Sequence, residues 1–257
     1  MTPAFGGPVQ ILSASAGDSF PTTTAHEDMD FVRRTLLGLN EGGLGFLRIY
    51  RPSPTAAFSP RDTTLKSYAA AADAMRGLGF EPVERRAGGQ LAVYDGGALV
   101  VDLVAPHSEP RADVLERFRL FSGAIVSALI GLGIDARVGA IDGEYCPGDY
   151  SVNGEGRVKL AGIAQRIGRR GYHLGAVISV MPSGGLRDAV AEAYRILGLP
   201  FDPATFGALA DLAPGLSFAV LRQRLRDAVV EKLLAVQRPH AAWAQDRFKV
   251  SADRSAK

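Results

Sequence analysis

Cys146 is the only cysteine of this chain, set in the stretch EYCPGDY, and Lys159 follows thirteen residues later. A thiolate attacks thioesters and activated acyl groups near neutral pH when positive charge or free backbone N–H groups hold it. Pro147-Gly148 can turn the chain so that such N–H groups point inward. The competing expectation is a small buried hydrophobe, the commonest fate of a lone cysteine. Lys159 stands out because arginine is the default cation here. Only five of the 29 basic residues are lysines, and Lys159 alone lies between Lys66 and Lys232. Apolar Val158 and Leu160 flank it. A partly buried ammonium can bind a carboxylate, polarise a carbonyl or hold a thiolate. An ordinary surface lysine lying along apolar neighbours is the alternative.

A second stretch, RRAGGQ over Arg85 to Gln90, precedes a run with strand character. Its glycines let backbone approach a ligand, and Arg85 and Arg86 offer fixed charge for a phosphate or carboxylate. It is neither a Walker loop nor a dinucleotide fingerprint, and a glycine-rich strand entry with surface arginines would read the same way. The four histidines, His26, His107, His173 and His240, have no metal-ligand spacing, so no metal site is expected. His173 is the one strand histidine that could pair with Cys146.

These residues need elements to position them. A Gly-, Ser-, Thr- and Pro-rich lead-in occupies 1–24. A helix is predicted from about Glu27 to Leu37, a strand from Phe46 to Arg51 and a helix from Thr64 to Leu78, capped by Thr63 or Thr64. LAVY and ALVVDLV, joined by Asp95-Gly96-Gly97, carry a hairpin signal. A long helix is expected from about Arg111 to Leu132. RVGAI, YSV, RVKLAGIAQR and HLGAVISVM follow as strands, the last three separated by Asn153 to Gly156 and Gly168 to Gly171. From Leu186 onward the chain reads as helical, with Pro214-Gly215 between helices and a frayed end. Clustered strands with tight turns predict an α+β fold whose mixed, mostly antiparallel sheet is flanked by helices.

Composition limits the function classes. The 257 residues suffice for a sizeable core, and 47% hydrophobic with 22% charged residues is a soluble globular profile. A net charge of +2 does not favour nucleic acid as a partner. No run of 18 apolar residues or secretory leader is present, so no membrane partner is expected. One cysteine excludes an internal disulfide, and a reducing cytoplasm fits.

Taken in order, HEDMD, FLRIYRPSPTAAFSPRD, ERRAGGQLAVYDGGALVVDLV and EYCPGDYSVNGEGRVKLAGIAQR resemble the lipoate–protein ligase and octanoyltransferase family, from about His26 to Val180. The family shares its catalytic domain with biotin protein ligases. Arg85, Gly88 and Gly89 stand in its Arg-x-x-Gly-Gly motif, and Lys159, Gly162 and Gln165 in its Lys-x-x-Gly-x-x-Gln motif. The resemblance implies a catalytic domain over 25–200 and a helical extension over 201–257. Tyr145, Cys146 and Gly148 resemble the cysteine-dependent octanoyl amidotransferase branch. That likeness implies an octanoyl or lipoyl thioester on Cys146, with Lys159 holding the acyl carbonyl and lowering the thiol pKa. Arg85, Arg86, Gly88, Gly89, Tyr145, Gly148, Gly162 and Gln165 would border the substrate. The implied partners are lipoyl domains of 2-oxoacid dehydrogenase E2 subunits and the glycine cleavage H protein. No cofactor is implied for that branch. The alternatives are an ATP- and Mg-dependent lipoate–protein ligase acting through Lys159, and a non-catalytic acyl-binding relative. The chain departs from the pattern at Gln90, Asp95 and Glu144, and a carboxylate facing the thiol would raise its pKa.

Overall fold

The computed structural model describes residues 9–13, 23–213 and 215–237. Its strands are β1 (Val9–Ser13), β2 (Gly45–Tyr50), β3 (Thr55–Phe58), β4 (Glu81–Glu84), β5 (Ala92–Tyr94), β6 (Ala98–Pro106), β7 (Ala136–Val138), β8 (Val152–Gly154), β9 (Val158–Ile167) and β10 (Gly171–Ser179). The helices are α1 (Ala25–Gly38), α2 (Tyr68–Gly77), α3 (Val114–Gly131), α4 (Leu186–Leu197), α5 (Leu209–Leu212) and α6 (Phe218–Gln237). A seven-stranded sheet runs β1-β2-β6-β10-β9-β8-β7, and a three-stranded sheet runs β4-β3-β5. Each is antiparallel apart from one parallel pair, β1 with β2 and β3 with β4. The expected α+β, mostly antiparallel architecture is therefore the one found.

Strand alternation assigns the two faces of the large sheet. Leu47 and Ile49 of β2, Leu99, Val101 and Leu103 of β6, and Tyr172, Leu174 and Ile178 of β10 bury against α3 and α6. The intervening residues Arg48, Tyr50, Val100, Asp102, His173, Gly175 and Val177 fall on the opposite face. α2 and α4 cover the small sheet through Ala71, Met75, Val190 and Tyr194. Tyr50, Ala57, Val83, Tyr94 and Val100 join the two sheets.

Three local expectations change. The lead-in contains a strand, β1, whose Val9 is buried in the main core. The second helix starts at Tyr68, not Thr64. The Thr63 and Thr64 hydroxyls donate to the carbonyls of Pro60 and Arg61, and the Asp62 carboxylate takes the Ser59 N–H at 2.7 Å, which forms a 3₁₀ turn instead. The hairpin across Asp95-Gly96-Gly97 does not form: β5 pairs with β3, and β6 with β2 and β10. Asp95 accepts from Gly97 N at 2.8 Å and from Ser183 N at 2.9 Å, so this turn carries the chain from one sheet to the other. A Cβ on Gly97 would lie 2.0 Å from the Met181 carbonyl oxygen. Gly97→Ala is expected to cost about 1–3 kcal/mol, read as a lower urea midpoint.

The described part of the expected C-terminal extension is continuous with the core. Leu221, Leu225, Val229 and Leu233, at helical spacing on α6, share it with Phe121, Ile125 and Leu129 of α3. Pro214 and the expected frayed end, including His240, lie outside the described residues. No helix among the described residues is long and apolar enough to cross a membrane.

Candidate active site

The loop between β7 and β8 is organised around Glu144. Its carboxylate accepts from Lys159 Nζ at 3.0 Å, Ser151 Oγ at 2.7 Å and Ile141 N at 3.2 Å. The Glu144 and Lys159 side chains are both fully buried. Glu144 therefore faces the lysine and not the thiol. Lys159 spends its other two protons on the carbonyls of Tyr145, at 2.8 Å, and Cys146, at 2.7 Å. Burial draws the lysine below its ordinary pKa, and the Glu144 charge opposes that shift. In this structure Lys159 fixes the loop; it does not contact the sulfur or stand free for a carbonyl.

Other groups hold the sulfur. Gln90 N–H donates to Cys146 Sγ at 3.2 Å, and Arg85 Nη2 lies 3.6 Å from it while donating to the Gln90 carbonyl at 2.6 Å. Those are the partners a thiolate takes. Cys146 is half-buried, with φ of 44°, in the left-handed region that side chains rarely adopt. Its N–H donates to Tyr194 Oη at 2.7 Å, and that hydroxyl donates to the Leu91 carbonyl at 2.8 Å. Strained backbone held by several contacts is a common feature of functional positions. Gly89, at φ of 98°, makes room: a Cβ there would lie 2.9 Å from Sγ and 2.8 Å from Arg85 Nη2. On the two residues that hold the sulfur, two buried side-chain atoms, Arg85 Nε and Gln90 Oε1, have no hydrogen-bond partner.

A cavity of about 700 Å³ opens from Cys146 across the large sheet. Arg85, Arg86, Gly88, Gly89, Tyr145, Gly148, Lys159, Gly162 and Gln165 all line it, so the expected residues are brought together. Their surroundings differ. Gly162 faces the Lys159 side chain, whose Cε and Nζ lie 3.6 and 3.9 Å from its Cβ position. Tyr145 packs its ring against Phe201 and Phe206 and under Lys159 Nζ. Gln165 accepts from Arg117 Nε at 2.9 Å and donates to the Val114 carbonyl at 3.1 Å, tying β9 to buried α3. Arg86 is exposed, and its carbonyl takes Arg166 Nη1 at 2.6 Å. Gly148 turns the loop through Ser151 N–H at 2.8 Å. No group of three or more His, Cys, Asp or Glu among the described residues could hold a metal ion.

His173, the candidate partner for Cys146, instead binds Asp102 through Nε2 at 2.8 Å. Arg48 bridges Asp102, at 3.4 Å, and Asp28, at 3.1 Å. Burial works to raise the Asp102 carboxyl, but the His173 hydrogen bond and the Arg48 charge hold it below its ordinary value. Sequence reasoning missed this network and the roles of Glu144 and Tyr194. Of these only Glu144 left a signal, as an acid where the pattern has serine.

An α+β fold with a held thiol lining a cavity of this size is a setting for acyl chemistry. Residues 37–199 match the lipoyl protein ligase A/B catalytic domain, and the chain belongs to that family. An octanoyl-GcvH:protein N-octanoyltransferase of Geobacillus kaustophilus is 29% identical over 160 residues, covering 62% of this chain and 56% of that protein. The chain spans about half the length of the curated relatives it matches. A lipoate-protein ligase A bound with ATP superposes with a TM-score of 0.63 at 20% identity, over 89% of this chain and 85% of that one. The bi-partite lipoate protein ligase of Thermoplasma acidophilum gives 0.58 at 20% identity, over 88% and 84%. These likenesses support the fold.

Proposed function

We propose that this chain is an acyltransferase of protein lipoylation that moves an octanoyl or lipoyl group through a Cys146 thioester to the lysine of a lipoyl domain. The observation that carries the reading is the thiol itself, set in left-handed backbone with Gln90 N–H and Arg85 on its sulfur at the mouth of the cavity. The relatives named as transferring octanoyl groups from GcvH support the donor class, and a lipoyl domain is the matching acceptor.

In the first step Cys146 Sγ attacks the acyl carbonyl carbon of the donor. Arg85, whose Nη2 lies 3.6 Å from the sulfur, supplies positive charge for the developing oxyanion. The carbon–nitrogen bond breaks, the thiol proton goes to the leaving lysine amine, and the acyl group remains on sulfur. In the second step the acceptor lysine amine attacks the thioester carbonyl. The carbon–sulfur bond breaks and the amine's proton returns to the thiol. Splitting the transfer this way uses neither nucleotide nor metal.

The test is intact-protein mass spectrometry after incubation with an octanoylated H protein, without ATP. Wild type is expected to gain an octanoyl adduct that hydroxylamine removes, and Cys146→Ala none. Transfer by Cys146→Ala at the wild-type rate would defeat the proposal.

A further inference from the structure

We infer that the Tyr194 hydroxyl is a positioning group for acyl transfer: it pins the Cys146 loop to the chain at Leu91 and so keeps the sulfur on Gln90 N–H and Arg85. This rests on the acyltransferase reading above. Tyr194 lies on α4, is 1% exposed, and packs its ring against Tyr145 and Phe201 with centroids 6.5 and 5.6 Å away. Burial pushes its phenol well above the ordinary value, so the group keeps its proton. A carbonyl oxygen only accepts. The phenol proton therefore lies on the Leu91 oxygen, at 2.8 Å, and the phenol oxygen is left to accept the Cys146 N–H, at 2.7 Å.

One hydroxyl thus joins the two segments that meet at the sulfur. Leu91 directly follows Gln90, whose N–H reaches Sγ at 3.2 Å and whose carbonyl takes Arg85 Nη2 at 2.6 Å. Each polar group of Cys146 is held from a different part of the chain. Its N–H is held from α4, its carbonyl from Lys159 on β9 at 2.7 Å, and its sulfur from Gln90. A side chain at φ of 44° persists only where its surroundings over-determine it. Of the two anchors on the cysteine backbone, Lys159 Nζ bonds only the cysteine's own loop, whereas Tyr194 also bonds the segment that carries the sulfur's donors.

A nucleophile's own backbone N–H can serve an oxyanion hole. Here that N–H is taken by Tyr194, so it holds the loop and not the developing charge. Phenylalanine at 194 would keep the ring and its packing. It would leave the Cys146 N–H and the Leu91 carbonyl without their partner, and the left-handed backbone would lose one of its anchors.

The test compares Tyr194→Phe with Val190→Ala, which trims a buried side chain one turn earlier on α4 in the same core cluster. Intact-protein mass spectrometry follows octanoyl adduct formation over a range of octanoylated H protein concentrations. Tyr194→Phe is expected to slow the saturating rate about 10- to 100-fold, the scale of a shift approaching 1 Å in a reacting group. The half-saturating concentration should stay as in wild type, because the cavity is untouched. Val190→Ala should melt at a lower temperature and acylate at the wild-type rate. A Tyr194→Phe protein that melts cooperatively and acylates as fast as wild type would overturn the inference, and so would an equal loss of rate in Val190→Ala. Amide exchange of Cys146, read by NMR, needs no acyl chemistry. It should be slow in wild type and fast in Tyr194→Phe. Fast exchange in wild type overturns the pin, and slow exchange there upholds it even if Tyr194→Phe does not fold. If wild type gains no adduct, the acyltransferase reading fails separately, and the exchange comparison still decides whether the hydroxyl holds the cysteine.

Discussion

Lys159→Met loses about 3–5 kcal/mol of stability, the usual cost of removing one partner of a buried ion pair. Glu144 would be left as a fully buried carboxylate with only Ser151 Oγ and Ile141 N for partners. The carbonyls of Tyr145 and Cys146 would lose their donor at the same time. The expected reading is a lower urea midpoint at an unchanged slope. The double variant Glu144→Leu/Lys159→Met should recover most of that loss, because no charge is left stranded. It should not recover acyl transfer, since the loop that presents Cys146 would still lack its anchor. A single variant as stable as wild type would show that the pair is not what holds this loop.

Gly89→Ala is expected to cost about a hundredfold in the rate of thioester formation, the scale of a displacement near 1 Å in a reacting group. The added methyl would meet both Cys146 Sγ and Arg85 Nη2, so the sulfur and the group that holds it must part. The alanine must also adopt φ of 98°, which adds strain. The strained backbone should also cost about 1–3 kcal/mol of stability, read as a lower urea midpoint. Rapid-quench measurement of octanoyl adduct formation gives the rate. Acylation as fast as wild type would mean that the thiol tolerates a different position from the one seen here.

Much of this site was legible in the sequence because its pieces are close along the chain. The turn between β8 and β9 brings Lys159 back toward Cys146 by local rules, and Asn153 and the glycines announce it. What Lys159 does with its protons was not legible, since that depends on which acceptors the loop presents. The Asp95 turn was misread because Asp-Gly-Gly chemistry suits a hairpin and a passage between sheets equally. Distant N–H groups decide between them: Ser183 on the Asp95 carboxylate, and Val180 and Met181 on the Gly97 carbonyl. β1 was hidden by its length and its Gly- and Ser-rich flanks. Its strand state comes from pairing with β2, not from propensity. The Asp102–His173 contact joins residues 71 apart, and composition carries no sign of it.

The proposed nucleophile is also a clock. Cys146 is held by Tyr194, 48 residues later in the chain, and by Gln90, 56 residues earlier. The Tyr194 contact cannot form before α4 has been synthesised and has docked on the small sheet. Contacts so distant along the chain close late, after local turns and helices are in place. Until then the cysteine is an ordinary thiol on an unformed loop, with no cavity beside it. Reactivity is thus withheld from nascent and half-folded chains, and the proposed acyl relay is open only to finished molecules.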